Sequence, residues 1–143
     1  MSWKDDIARL RAQKPRHVLF LCVQNSARSQ MAEGIARSLA PAGVRVSSAG
    51  SQPARVRPPA IEALREIGID ISSHTSKAVA DLDTSTVDAV ITLCAEEVCP
   101  VFPRKVAKFH WPMPDPAREG TLEAFRATRD ELRGRLGMLF APT

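Results

Sequence analysis

The sequence predicts an α/β fold, a three-layer sandwich in which a four-stranded parallel sheet is flanked by helices. Continuous apolar runs such as HVLFLC at 17–22 and DAVITLC at 88–94 suit strands buried on both faces. Segments with apolar residues at helical spacing alternate with them, and repeated strand-helix units imply a mostly parallel sheet. At 143 residues, 44% hydrophobic and 25% charged, the chain has the size of one domain around one core.

The elements follow in order. Residues 1–15 form a helical extension, with Trp3, Ile7 and Leu10 at helical spacing and Ser2 as its N-cap. Pro15 precedes the first strand, 17–22. Residues 29–40 carry helix formers, with Met31, Ile35 and Leu39 along one side and Pro41 and Gly43 as stops. Residues 44–48 form the second strand. Residues 58–67 form a helix entered by Pro58 and Pro59 and stopped by Gly68. A helix-length connection leads to the strand at 88–94, and 106–110 (VAKFH) supply the fourth. The last helix spans 122–140. Its Arg126, Arg129, Arg133 and Arg135 lie among Glu123, Asp130 and Glu131 and read as a solvated face. No repeat, linker or low-complexity tract divides residues 1–143, so a single domain is expected.

Composition excludes several function classes. Twenty basic against 16 acidic residues give a net charge of +4, which favours anionic small molecules but forms no basic stripe interleaved with aromatics, so no nucleic-acid partner is expected. No apolar stretch reaches spanning length, and the charged N-terminus lacks the apolar centre of a secretory signal, so a cytoplasmic protein without membrane contact is expected. Cys22, Cys94 and Cys99 are too few and odd in number for an extracellular disulfide framework. Scattered His17, His74 and His110 complete no zinc set, and nucleotide-binding glycine motifs are missing, so neither metal nor organic cofactor is expected. A monomer is the default.

The segment CVQNSARS, 22–29, points to chemistry. Cys22 ends a strand and Arg28 opens a helix, so the N–H groups of Val23, Gln24, Asn25, Ser26 and Ala27 can turn inward around one point. A helix N-terminus and the Arg28 fork suit a tetrahedral oxyanion. The same field favours sulfur as thiolate, and the Ser29 hydroxyl can donate to it. Taken alone, Cys22 is also a small hydrophobe finishing a buried strand; Arg28 and the strand-loop-helix setting favour the nucleophile.

The Cys-x5-Arg-Ser loop resembles the phosphate loop of the low-molecular-weight protein tyrosine phosphatase fold. More narrowly, NSARSQMAEG, SSAGSQ, DISSHTSK, ITLCAEEVCPVFP and HWPMPDPA, in that order, resemble the thioredoxin-coupled arsenate reductases built on that fold. The resemblance implies that Cys22 attacks arsenate, that Cys94 attacks the Cys22 sulfur as arsenite leaves, and that Cys99 resolves the Cys22–Cys94 disulfide. Thioredoxin then reduces Cys94–Cys99, and phosphate or sulfate mimics the substrate. Phosphorus in phosphate accepts no such electrons, so extra thiols suit a reductase. Cys94 as core filling with Cys99 incidental is the alternative.

A disulfide between residues five apart needs Cα atoms within roughly 4.4–6.8 Å, so CAEEVC must bend or unwind. Residues 94–103, with Pro100 and Pro103, are expected to be mobile and to change shape during turnover. Asp115, between Pro114 and Pro116, is by itself a turn former. The resemblance makes it the general acid that protonates the departing oxygen. It also implies loop support from Asn25, Glu33 and Ser48, around a potassium ion in some relatives. Lys77 departs from that pattern, and its ammonium is expected to pair with Glu33 in the ion's place. Gln24 and Ala27 depart too, replacing a frequent glycine and a common second cysteine. A tyrosine phosphatase using Cys22, Arg28 and Asp115 is one alternative, although the chain has no tyrosine. A non-catalytic anion-binding or thiol-sensing module is the other.

Overall fold

All six residues of His17–Cys22 are buried, and they form one of the two interior strands of the sheet. A computed structural model describes residues 2–95 and 100–142. The elements are α1 (Trp3–Gln13), β1 (His17–Cys22), α2 (Arg28–Leu39), β2 (Arg45–Gly50), α3 (Pro58–Arg65), β3 (Ala89–Thr92), β4 (Ala107–His110) and α4 (Leu122–Leu139). Short 3₁₀ turns occupy Val79–Asp81 and Pro116–Arg118. The strands lie in the order β2-β1-β3-β4, every neighbouring pair parallel.

Alternation along β1 separates two cores. Val18 and Phe20 pack with residues of all four helices, among them Leu10, Met31, Leu64 and Phe125. Leu19 and Leu21 face the opposite side with Val90, Val87 and Phe102. Among the described residues this second face is covered by the 3₁₀ turn at Val79–Asp81 and by connecting segments rather than by an α-helix. Each fully buried Leu or Phe contributes roughly 1.5–3 kcal/mol over its exposed state.

Several boundaries differ from the sequence expectation for local reasons. β2 continues to Gly50 because Gly50 pairs with Cys22, and β3 ends at Thr92, before Cys94. The third helix ends at Arg65, and Gly68, at φ 81°, forms the expected stop while the Ile69 N–H donates to Leu64 O at 3.0 Å. The helix-length connection before β3 contains one 3₁₀ turn and otherwise extended or turn backbone.

The arginines of α4 are not a uniformly solvated face. Arg129 is 9% exposed and donates to Ala63 O and Glu66 Oε1. Arg126, with Arg129 behind it, holds the Glu66 carboxyl down at about 2, although partial burial pulls the other way. Together they tie α4 to the end of α3. The Arg135 guanidinium sits 4.9 Å from the Trp3 ring and 5.9 Å from the Trp111 ring.

The N-terminal extension is docked. Ser2 and Asp5 form a reciprocal capping box, with the Asp5 N–H donating to Ser2 Oγ and the Ser2 N–H to Asp5 Oδ2. Ile7 and Leu10 join the helical core, and the buried Trp111 Nε1 donates to Asp6 Oδ2 at 3.1 Å. Among the described residues no helix is long and apolar enough to cross a membrane.

Asp6→Leu leaves the Trp111 N–H buried without its acceptor, and urea unfolding is expected to show a loss of about 1–3 kcal/mol. Asp6→Asn, which keeps an oxygen acceptor, should retain most of the stability.

Candidate active site

The strand order places a crevice where the chain divides. From β1 it passes through α2 to β2 on one side, then crosses back to β3 on the other. Ligands in open parallel sheets bind outside the carboxyl ends of strands at such a point. Cys22 is the last residue of β1, and the loop to α2 lies there.

The loop's carbonyls are tied outward. Val23 O accepts from the Gln52 N–H at 2.9 Å, Gln24 O from the Ala54 N–H at 3.2 Å and the Ser76 hydroxyl at 2.7 Å, and Ser26 O from the Arg57 N–H at 2.9 Å. Asn25 O accepts from Gln30 Nε2 at 3.1 Å. The described residues contain no cis peptide, and in a planar trans peptide the N–H opposes the C=O. The N–H groups of Gln24, Asn25, Ser26 and Ala27 therefore turn to the loop's interior, and the first turn of α2 adds its own. Asn25 makes this curl in the left-handed region, at φ 50°.

Gly50 lets the loop lie this close. A Cβ there would stand 2.3 Å from Val23 O and 2.7 Å from Cys22 O, both backbone atoms.

Hydrogen-bond polarity can be followed to the sulfur. The Lys77 N–H donates to Asn25 Oδ1 at 2.8 Å, which identifies the amide oxygen. Asn25 Nδ2 then donates to Ser48 Oγ at 2.9 Å and Ser29 Oγ at 2.8 Å. Ser48 directs its own proton to Glu33 Oε1. Ser29 Oγ accepts from Asn25, so its single proton is available to Cys22 Sγ, 2.8 Å away. A thiolate at Cys22 has a donor in place.

The pocket beside the sulfur is a cavity of about 160 Å³ lined by Cys22, Arg28, Asp115 and the loop residues Val23, Gln24, Ser26 and Ala27. Arg28 is 4% exposed, and its Nη1 donates to Met113 O at 3.0 Å and Leu93 O at 3.4 Å. Asp115 lines the pocket and also acts as a turn former, its Oδ1 accepting from the Ala117 N–H at 2.9 Å. Cys94 is buried two residues beyond β3, and the intervening Leu93 N–H bonds to Leu21 O. Cys99, and with it the expected bend of CAEEVC and much of the expected motion of 94–103, lies outside the described residues.

Beneath the loop, Glu33 is 3% exposed. Arg37 Nη2 stands 2.7 Å from Oε2 and Lys77 Nζ 3.6 Å from Oε1. His74 Nδ1 lies 3.9 Å from Oε2. Burial, the largest influence, lowers the His74 pKa, while Glu33 pulls it upward. His74 also meets Gln30 at 3.0 Å.

Gly50, Gln30 and His74 are among the contributors outside the sequence-predicted set. SSAGSQ, RSQMAEG and DISSHTSK contain them, but only the assembled fold shows what they touch.

A parallel α/β sheet with a cysteine at the end of an interior strand, a loop whose peptide N–H groups turn inward and an arginine opening the next helix make an arrangement of the class that can hold a tetrahedral oxyanion beside a thiol. Residues 17–142 match low molecular weight phosphotyrosine protein phosphatase, and the chain belongs to that family. Arsenate reductase 2 of Staphylococcus saprophyticus is 45% identical over 117 residues, covering 80% of this chain and 88% of the relative. A solved structure described as an arsenate reductase in the phosphate binding state superposes with TM-score 0.77 at 37% identity, covering 88% of this chain and 97% of that one. The thioredoxin-dependent arsenate reductase of Corynebacterium glutamicum gives TM-score 0.65 at 31% identity, covering 92% and 67%.

Gly50→Ala forces a methyl group onto the loop's backbone oxygens. Calorimetric titration with phosphate is expected to show affinity reduced roughly ten-fold or more; unchanged affinity would separate Gly50 from the loop's shape.

Proposed function

We propose that this protein is an arsenate reductase that uses Cys22, Cys94 and Cys99 in succession, with thioredoxin as reductant. The observation that carries this is the small cavity at the end of β1, where Cys22, the inward N–H groups, Arg28 and Asp115 meet one strand away from a second buried cysteine. Relatives named arsenate reductase, one of them thioredoxin-dependent, support the substrate and the electron donor.

The loop N–H groups and Arg28 bind the arsenate oxygens, and the Cys22 thiolate attacks arsenic. An As–O bond breaks as a sulfur–arsenic bond forms, and Asp115 supplies the proton with which the oxygen leaves as water. Cys94 thiolate then attacks Cys22 Sγ. The S–As bonding pair stays on arsenic, which departs as arsenite, and two sulfurs are oxidised to a disulfide. Cys99 attacks Cys94, freeing Cys22, and the dithiol of thioredoxin reduces Cys94–Cys99. Cys94 is 1% exposed, so its exchange with Cys99 and then thioredoxin requires the segment after β3 to move.

The loop-support set does not fit a potassium ion here. Asn25 Oδ1 is engaged by the Lys77 N–H and Gln30 Nε2, Ser48 directs its proton to Glu33, and the Lys77 ammonium faces that carboxylate. Lys77 supplies the positive charge itself. Phosphatase chemistry would use the same Cys22, Arg28 and Asp115, but among the described residues the cavity lining contains no aromatic side chain to hold a phosphotyrosine ring.

The deciding experiment assays cysteine variants with arsenate, thioredoxin, thioredoxin reductase and NADPH. Cys22→Ser is expected to be inactive, and Cys94→Ser to release no arsenite. Cys99→Ser should accumulate a Cys22–Cys94 disulfide detectable by peptide mass spectrometry. Equal steady-state activity of all three excludes the relay, and phosphatase turnover without arsenite release would favour the other chemistry. Rates in potassium and sodium chloride at equal ionic strength are expected to match; a clear rise in potassium would overturn the role given to Lys77.

A further inference from the structure

Gln30, the third residue of α2, is fully buried, and both ends of its amide are hydrogen-bonded. Its Nε2 lies 3.1 Å from Asn25 O, 2.9 Å from Asn25 Oδ1 and 2.9 Å from Thr75 O. Two of those acceptors are main-chain carbonyls, which settles the amide's orientation, and its two protons are shared among three oxygens. Oε1 then faces His74 Nδ1 at 3.0 Å, so that ring nitrogen carries the proton.

Asn25 is therefore gripped twice by one side chain. Gln30 holds the carbonyl whose outward turn sends the Ser26 N–H into the loop, and also the amide whose other end reaches Ser29, the hydroxyl beside Cys22. Thr75 and His74 anchor Gln30 from the opposite side. Left-handed backbone is uncommon outside glycine, and asparagine is among the residues that tolerate it best, so the contacts to the Asn25 carbonyl and amide select this conformation rather than force it.

We infer that Gln30 is a positioning residue for the reaction: it locks Asn25 in its left-handed turn, aiming the Ser26 N–H at the oxyanion and Ser29 Oγ at the Cys22 sulfur. This rests on the oxyanion-loop role proposed for Cys22. A methionine fits the same volume but supplies no donor, and a glutamate would face three oxygens with a fourth.

The test uses the full chain carrying Cys94→Ser and Cys99→Ser, so that Cys22 is its one thiol. Two quantities are measured at neutral pH: the iodoacetamide alkylation rate, and the phosphate concentration that half-protects against it. Gln30→Met and Gln30→Glu are expected to raise that concentration roughly ten-fold, the scale of losing a buried hydrogen bond, and to slow alkylation several-fold. Ser29→Ala added to Gln30→Met should slow alkylation no further, because Gln30 acts on the sulfur through Ser29. His74→Leu, which removes only the outer anchor of Gln30, should shift both quantities the same way by less.

Folded Gln30 variants with a lowered melting temperature but parental alkylation and protection would overturn the inference. Should neither Gln30 variant fold, His74→Leu decides, and parental values there overturn it equally. A parent protein that phosphate does not protect at all would instead remove the oxyanion loop, and the role of Gln30 with it.

Discussion

The structure turns on the outward anchoring of four successive loop carbonyls, those of Val23, Gln24, Asn25 and Ser26. Every peptide that directs its oxygen away from the pocket directs the following N–H into it, so anchoring outside and binding inside are one constraint. A buried carbonyl left without its donor costs about 1–3 kcal/mol; this applies to Asn25 and Ser26, the buried pair of the four, so the curl depends on its collar of donors. That collar comes from the strand after the loop: β2 runs on to Gly50, and the chain beyond it presents the N–H groups of Gln52, Ala54 and Arg57 in turn.

The polar layer beneath the loop gives the site its direction. Glu33 can only accept, so Ser48 must donate to it; Asn25 must then donate to Ser48 and to Ser29, leaving the Ser29 proton for sulfur. One buried carboxylate thus orients a chain of neutral groups that ends at the Cys22 sulfur. Its own charge is offset by Arg37 and Lys77, 2.7 and 3.6 Å from its oxygens. Among the described residues no buried side-chain nitrogen or oxygen lacks a partner.

The helical core holds this arrangement rigid. The four α-helices of the described residues pack on one side of the sheet, and α2, whose N-terminus completes the loop, packs against α4 and α3. Gly34 allows that contact, since a Cβ there would stand 2.7 Å from Ile71 Cγ2 and 2.8 Å from Leu64 Cδ1. Among the described residues the opposite face of the sheet is covered by connecting segments. The Cys22 loop is thus backed by the helical core, whereas Cys94 follows β3.

The sequence by itself determined the alternating elements, the capped N-terminal helix, the glycine stop after α3, and a cysteine and arginine joined by one tight loop. These are legible because each depends on neighbours a few positions apart, through periodicity, capping and backbone preference. Only the tertiary structure decided that Gly50 grazes the loop, that Gln30 and His74 brace Asn25 from below, and that Arg126 and Arg129 clamp α3 through Glu66 instead of facing water. Those contacts join residues far apart along the chain, and their side chains carry no local sign of which buried donor or acceptor will need them.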